Sequence, residues 1–209
     1  MTAFTAMLDD VMPELNGCSK ELAINALLNA AIELYKKSWI LSVDITPITV
    51  VPGTSVYVIP AIANKQIIGV RELYVGASKI DPIAGTITSN ADHLWKTDVG
   101  GVVGYQIENG SSIRLYKVPQ VADVINATIV VAPSKSATDI DTFIYDMYSE
   151  ALAAGAKARL MTIPHKPFTD AGTAMTYRAQ FAEAIRDAKW KAYKASTNAG
   201  MQVQLKPVI

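Results

Sequence analysis

The sequence is poor in the residues that do chemistry. It holds one cysteine, Cys18, and two histidines, His93 and His165, in 209 residues. A single thiol excludes an intrachain disulfide, so stability does not depend on an oxidising compartment. Apart from Asp92, which adjoins His93 and would point elsewhere, neither histidine has a ligand-type neighbour in sequence, and no metal or other cofactor is expected. The chain also lacks a GxSxG nucleophile elbow, a GxxxxGK phosphate loop and a GxGxxG motif opening a helix. No apolar run approaches the roughly 20 residues that cross a bilayer, and no basic stretch followed by an apolar segment opens the chain. The expectation is a protein made in the cytosol without signal peptide, membrane anchor or catalytic role.

What is present is a folded composition: half the residues are hydrophobic and 18% are charged, enough to bury one substantial core. Charge is balanced overall but segregated. Residues 1–156 hold ten Lys or Arg against sixteen Asp or Glu, and residues 157–209 hold nine against three. The basic end is either a solvated helix face or a surface for an acidic partner or nucleic acid. The tightest acidic pairs, Asp9 with Asp10 and Asp139 with Asp141, read as solvation or capping rather than acid-base work. Tyr57, Tyr74, Tyr105, Tyr116 and Trp95 either pack a sheet or make a stacking surface for sugars, so a carbohydrate-binding module is the alternative reading.

The chain divides into four parts. In residues 1–43, Phe4, Met7, Leu8, Val11, Met12 and Leu15 step by three and four, predicting a short amphipathic helix or turn that ends near Asn16-Gly17. Ser19 then caps a long helix with Glu21 in its first turn and Lys36-Lys37 in its last, signs that suit the helix dipole. Leu22, Leu27, Ile32, Leu34, Tyr35 and Trp39 make it apolar on more than one face. Residues 44–134 change to period two, with ITPITVVPG, SVYVIP, IIGVRELYVG and ATIVVAP reading as strands and Asn109-Gly110 as a hairpin turn. Short strands with frequent turns predict an antiparallel sandwich or barrel.

In residues 135–195 the helical period returns. Thr138 or Asp139 is expected to cap a helix striped by Phe143, Ile144, Met147, Tyr148, Ala151, Leu152 and Ala158. IPHKPFTD then forms a joint: Pro164 stops the first helix, Pro167 holds the linker extended, Phe168 staples the turn and Thr169 or Asp170 caps the second helix. His165 is expected to be exposed. The second helix repeats Ala174, Arg178, Phe181, Ile185, Ala188 and Ala192 at 4, 3, 4, 3, 4 spacing, a seam for the preceding helix or for another subunit. Residues 196–209 form a tail that is either frayed or strand-like, with Met201, Val203 and Leu205 alternating with Gln202, Gln204 and Lys206. The fold class is therefore α+β: a bundle of N- and C-terminal helices with an inserted small antiparallel β domain.

This order of parts is itself informative. The segment VMPELNGCSKELAINALLNAAIELYKKSWIL, Val11 to Leu41, resembles the opening of head-to-tail adaptor proteins of tailed bacteriophages. The likeness continues through YVIP at 57–60, RLYKVP at 114–119 and MYSEALAAGAKARLMTIPHKPFTD at 147–170. What the resemblance implies is a virion protein at the head-tail junction, in a ring of about twelve identical subunits beneath the portal, close to the DNA of the channel. Its partners would be the portal protein and a downstream tail or nozzle protein. On that reading Met201, Val203, Leu205 and Lys206 dock the tail on the portal, and Phe181, Ile185, Ala188 and Ala192 serve a seam within or between subunits.

Overall fold

The structure is a computed structural model that describes residues 1–83 and 96–194. Within them the chain is a mixed helix and sheet protein of the α+β class.

The N-terminal segment takes both forms that its apolar spacing allows, a short helix and turns. A two-residue strand β1 (Thr2–Ala3) leads into a 3-10 turn, a single α-helical turn α1 (Leu8–Val11) and a second 3-10 turn carrying Pro13. Pro13 cannot continue an α-helical ladder, which accounts for the change of pitch there. Phe4, Met7, Val11 and Leu15 are nonetheless fully buried, so the three-and-four spacing identifies the inward face correctly.

Helix α2 (Lys20–Ser38) begins and ends as its sequence predicts. The Ser19 hydroxyl accepts from the Leu22 N–H at 3.3 Å, and Trp39 closes the helix in a left-handed conformation with its N–H bonded to the Tyr35 carbonyl. Leu27, Leu34 and Tyr35 are sealed inside, together with Ala23, Ala30 and Ala31. Leu22 and Trp39, expected to share that burial, stay more than a third exposed.

The strands fall into three antiparallel sheets. The largest places β9 (Asp123–Pro133) at its centre. One side of β9 pairs with β2 (Ser42–Asp44) and β3 (Ile48–Val50), the other with the long β5 (Lys65–Val75), whose edge takes β6 (Ser78–Lys79). A second sheet runs β4 (Val56–Val58), β8 (Ser112–Tyr116), β7 (Gly104–Glu108). The β7–β8 hairpin turns at Asn109 and Gly110, whose φ values of 52° and 69° are the positive pair a type I′ turn requires. β1 pairs with β10 (Asp139–Ile140) in a two-stranded ribbon. No sheet closes on itself among the described residues. The barrel alternative is therefore corrected to open sheets, in which β9 is flanked on both sides and the β4–β8–β7 sheet is separate.

Two helices complete the chain, α3 (Thr142–Leu160) and α4 (Ala171–Tyr193). Helix α3 does not start at Thr138 or Asp139: Asp139 pairs with Ala3 in the ribbon, and Asp141 occupies the N-cap position without a side-chain capping bond. Its carboxylate is engaged elsewhere, accepting from Lys65 Nζ at 2.6 Å and from the Tyr35 hydroxyl at 2.9 Å. That cluster ties α2, β5 and α3 together. The predicted α3 stripe is also narrower than drawn: Ile144, Tyr148 and Leu152 are buried, whereas Phe143 and Met147 are about half exposed.

Two apolar cores result. The helical core joins the N-terminal segment to α2, α3 and α4. The other gathers Leu73 and Ile129 of the large sheet with Tyr57, Tyr105, Ile113 and Leu115 of the small one. Strand β9 belongs to both, because alternate side chains leave opposite faces. Ile125, Ala127, Ile129 and Val131 enter the sheet core, while Ala132 enters the helical core. Burial on both faces explains why ATIVVAP reads as an unbroken apolar run.

Candidate interaction surfaces

The joint between α3 and α4 fixes the direction of the last helix. Helix α3 ends at Leu160, four residues before Pro164, and the turn is closed by the Asp170 N–H donating to the Met161 carbonyl at 3.0 Å. The Thr169 hydroxyl donates to the Ile163 carbonyl and accepts from the Lys166 N–H. Asp170 caps α4 by accepting from the Thr173 N–H at 3.0 Å and the Thr173 hydroxyl at 2.6 Å. The hydroxyl bond, with the backbone bond behind it, holds the Asp170 carboxyl below its usual range. Phe168 is buried in the helical core, and the Pro167 ring reaches the Gly17 turn, 3.6 Å from where a Cβ there would stand. Pro164 and His165 are exposed, and His165 adopts a left-handed φ of 58°.

Helix α4 lies along α3 through its small-residue stripe. Ala174, Phe181, Ile185, Ala188 and Ala192 are all buried there, the first four in the helical core. A Cβ on Gly155 of α3 would stand 2.9 Å from the Phe181 ring, so only glycine admits that ring at this approach. Arg178, which falls on the same heptad spacing, lies at the margin and is exposed.

Two buried-edge ion clusters fasten this layer. Lys157 donates to Glu14 at 2.6 Å, and the Tyr177 hydroxyl donates to the other Glu14 oxygen, which ties the N-terminal segment to α3 and α4. These bonds, Lys157 first, hold the Glu14 carboxyl below its usual range. Arg159 of α3 and Lys37 of α2 both pair with Glu33. Burial pushes the Glu33 carboxyl up, and the two cations outweigh it and hold it below the usual range. Only the Glu33–Lys37 pair, four residues apart on α2, is a sequence pattern; the partners Lys157, Tyr177 and Arg159 come from more than a hundred positions away.

One residue along from the buried stripe, α4 carries a second one. Met175, Ala179, Ala182, Arg186, Lys189 and Tyr193 again step by 4, 3, 4, 3, 4, and all are exposed. Arg178, Arg186 and Lys189 have no ion pair among the described residues. This stripe borders a groove between α2 and α4 with two widenings, of about 340 and 460 Å3, both lined by Lys37. Arg159, Arg178, Arg71 and Lys189 add positive charge, against the single carboxylate of Glu33. Trp39 and Tyr193 form the apolar wall at its far end, where Arg71 donates to the carbonyls of Trp39 and Ala192. The spacing was readable in the sequence, but the apolar register next to it is the more conspicuous one.

The remaining expected residues sort as follows. Met201, Val203, Leu205 and Lys206 lie outside the described residues, as do His93 and Trp95. Tyr57 and Tyr105 are buried in the sheet core, and the Tyr57 hydroxyl bonds to Val51 and Thr54 in the adjoining turn. They are thus unavailable as a stacking platform. No group of His, Cys, Asp and Glu able to hold a metal occurs among the described residues, and no described helix is long and apolar enough to cross a membrane.

Comparison with known proteins supplies the family. No curated protein matches the sequence. Residues 2–204, nearly the whole chain, match the family described as SU10 adaptor protein. Helix pair, sheets and joint thus all fall inside one family match, in line with the resemblance to phage head-to-tail adaptors. The chain belongs to the SU10 adaptor protein family, and is a phage adaptor and structural component of the virion.

Proposed function

We propose that this protein is a head-to-tail adaptor that forms a ring of identical subunits beneath the portal, joins the DNA-filled head to the tail and continues the DNA channel. The observation that carries this reading is the family match over residues 2–204. The described surface is compatible with it. Each subunit closes its own apolar cores, yet Arg178, Arg186 and Lys189 of α4 have no ion-pair partner among the described residues, as a building block that must be stable before it assembles requires. In finer detail, we read the fold as a helical bundle carrying a small sandwich, its two larger sheets facing each other across the Tyr57–Leu73–Ile129 core.

The portal side of the ring is assigned to residues 196–209. The last described turn ends at Lys194, beside the α2–α4 groove, and Met201, Val203, Leu205 and Lys206 are the docking residues this assignment names. The β domain is assigned to the tail or nozzle protein. A chain ending at residue 195 is expected to fold with an unchanged melting temperature and to lose co-sedimentation with portal rings. Co-sedimentation at the full-length level would contradict the assignment.

A further inference from the structure

Two surfaces of complementary chemistry lie on different sides of one chain. At the start of α3, Phe143 and Met147 are 49% and 50% exposed, and on the same face stand Asp146 and Glu150, both exposed and without ion-pair partners among the described residues. Positions 143, 146, 147 and 150 follow the i, i+3, i+4, i+7 rule for one helix face. The face is an apolar pair rimmed by two carboxylates. The α2–α4 groove is its counterpart in chemistry, with Ala182 and Phe181 lining its depth and Lys37, Arg178 and Lys189 along its rim.

We propose that the α2–α4 groove of one subunit receives the acidic α3 face of the next copy of this chain, Phe143 and Met147 entering the groove while Asp146 and Glu150 meet its basic rim. The proposal rests on the ring reading and names the surfaces that make the ring. Charge selects the occupant: the face has two carboxylates and no cation, and the groove has one carboxylate, Glu33, already paired. Geometry selects the assembly. Gly155, Ala158 and Arg159 of α3 line the groove, and by the 3.6-residue turn they stand about 120° around the helix from the acidic face. A subunit's face and groove therefore point in different directions and neither is self-complementary. Such a contact is heterologous, leaves one face and one groove free at each step, and ends only by closing a ring.

Two charge reversals in the full chain test this, each assembled on portal rings and at high concentration in solution. Asp146→Lys with Glu150→Lys reverses the face; Arg178→Glu with Lys189→Glu reverses the groove. All four positions are exposed, so both proteins are expected to keep the wild-type melting temperature. Each alone is expected to raise the half-assembly concentration about tenfold or more, since like charges then oppose across the contact. An equimolar mixture of the two is expected to assemble as wild type, because every contact again pairs opposite signs. A pair Met147→Cys and Ala182→Cys, in a chain whose only native cysteine is buried, is expected to give subunit-to-subunit disulfides in the assembled ring. Wild-type assembly of either reversal, or failure of the mixture to recover, overturns the proposal. So does loss of duplex DNA binding on groove reversal with assembly intact, which would assign the groove to nucleic acid. Wild-type chain that forms no ring on portal refutes the ring itself, whereas wild-type rings indifferent to both reversals refute only these surfaces.

Discussion

Helix α4 carries two stripes with the same 4, 3, 4, 3, 4 spacing, one residue apart, and they have opposite fates. The inner one, from Ala174 to Ala192, is apolar except for Arg178 at its margin, and its apolar members are buried against α3. The outer one, from Met175 to Tyr193, is basic and faces solvent. A heptad pattern alone says that a helix has a partner but not whose chain supplies it. Burial makes the distinction: the stripe that is apolar but for the exposed Arg178 at its margin is consumed in folding, and the stripe with Arg186 and Lys189 stays at the surface, where the proposal places association. The proposal thus puts folding and assembly on adjacent faces of one helix, and substitutions should separate them.

The largest effect is expected on the inner stripe. Phe181→Ala should cost about 3–5 kcal/mol of folding stability, read from urea unfolding, because Gly155 leaves the vacated ring site nothing to collapse onto it. Arg186→Ala on the outer stripe should stay within about 0.5 kcal/mol in the same measurement. Equal losses at both positions would erase the distinction. Lys157→Met comes next, at about 1 kcal/mol: it removes the charge partner of Glu14, whose solvent-screened carboxylate keeps the Tyr177 hydrogen bond, while the packing of the side-chain stem stays. The Glu14 and Glu33 carboxyls, held below the ordinary 4.5, stabilise the fold above that pH and lose their contribution as pH falls through their lowered values. Melting temperature should therefore drop below about pH 4.5, and Glu14→Gln should flatten part of that drop. The joint comes last: Pro167→Gly should cost about 0.5–1 kcal/mol by freeing the unfolded chain, and His165→Ala, at an exposed position, should leave stability and assembly unchanged.

Local signals in the sequence transferred well to the structure. Ser19 and Asp170 cap their helices, Asn109-Gly110 turns the hairpin, and Phe168 anchors the joint, because each depends on neighbours a few residues away. Long-range competition is where local reading failed. Asp139 was taken by a ribbon with Ala3, and the Asp141 carboxylate by Lys65 and Tyr35, so neither caps α3 through its side chain. Phe143 and Met147 matched a helical stripe but sit on the side of it that no other described element covers. The same limit applies to the surfaces: the basic bias of the C-terminal quarter was plain in composition, whereas its concentration opposite Lys37 in the α2–α4 groove depends on how three helices pack.

The most direct test of the adaptor account is electron microscopy of the purified full-length protein mixed with its portal. The account predicts closed rings of one stoichiometry stacked on one end of the portal, with the α2–α4 groove of each subunit filled by α3 of its neighbour. Portal particles without a bound ring, at protein concentrations that saturate co-sedimentation, would contradict it.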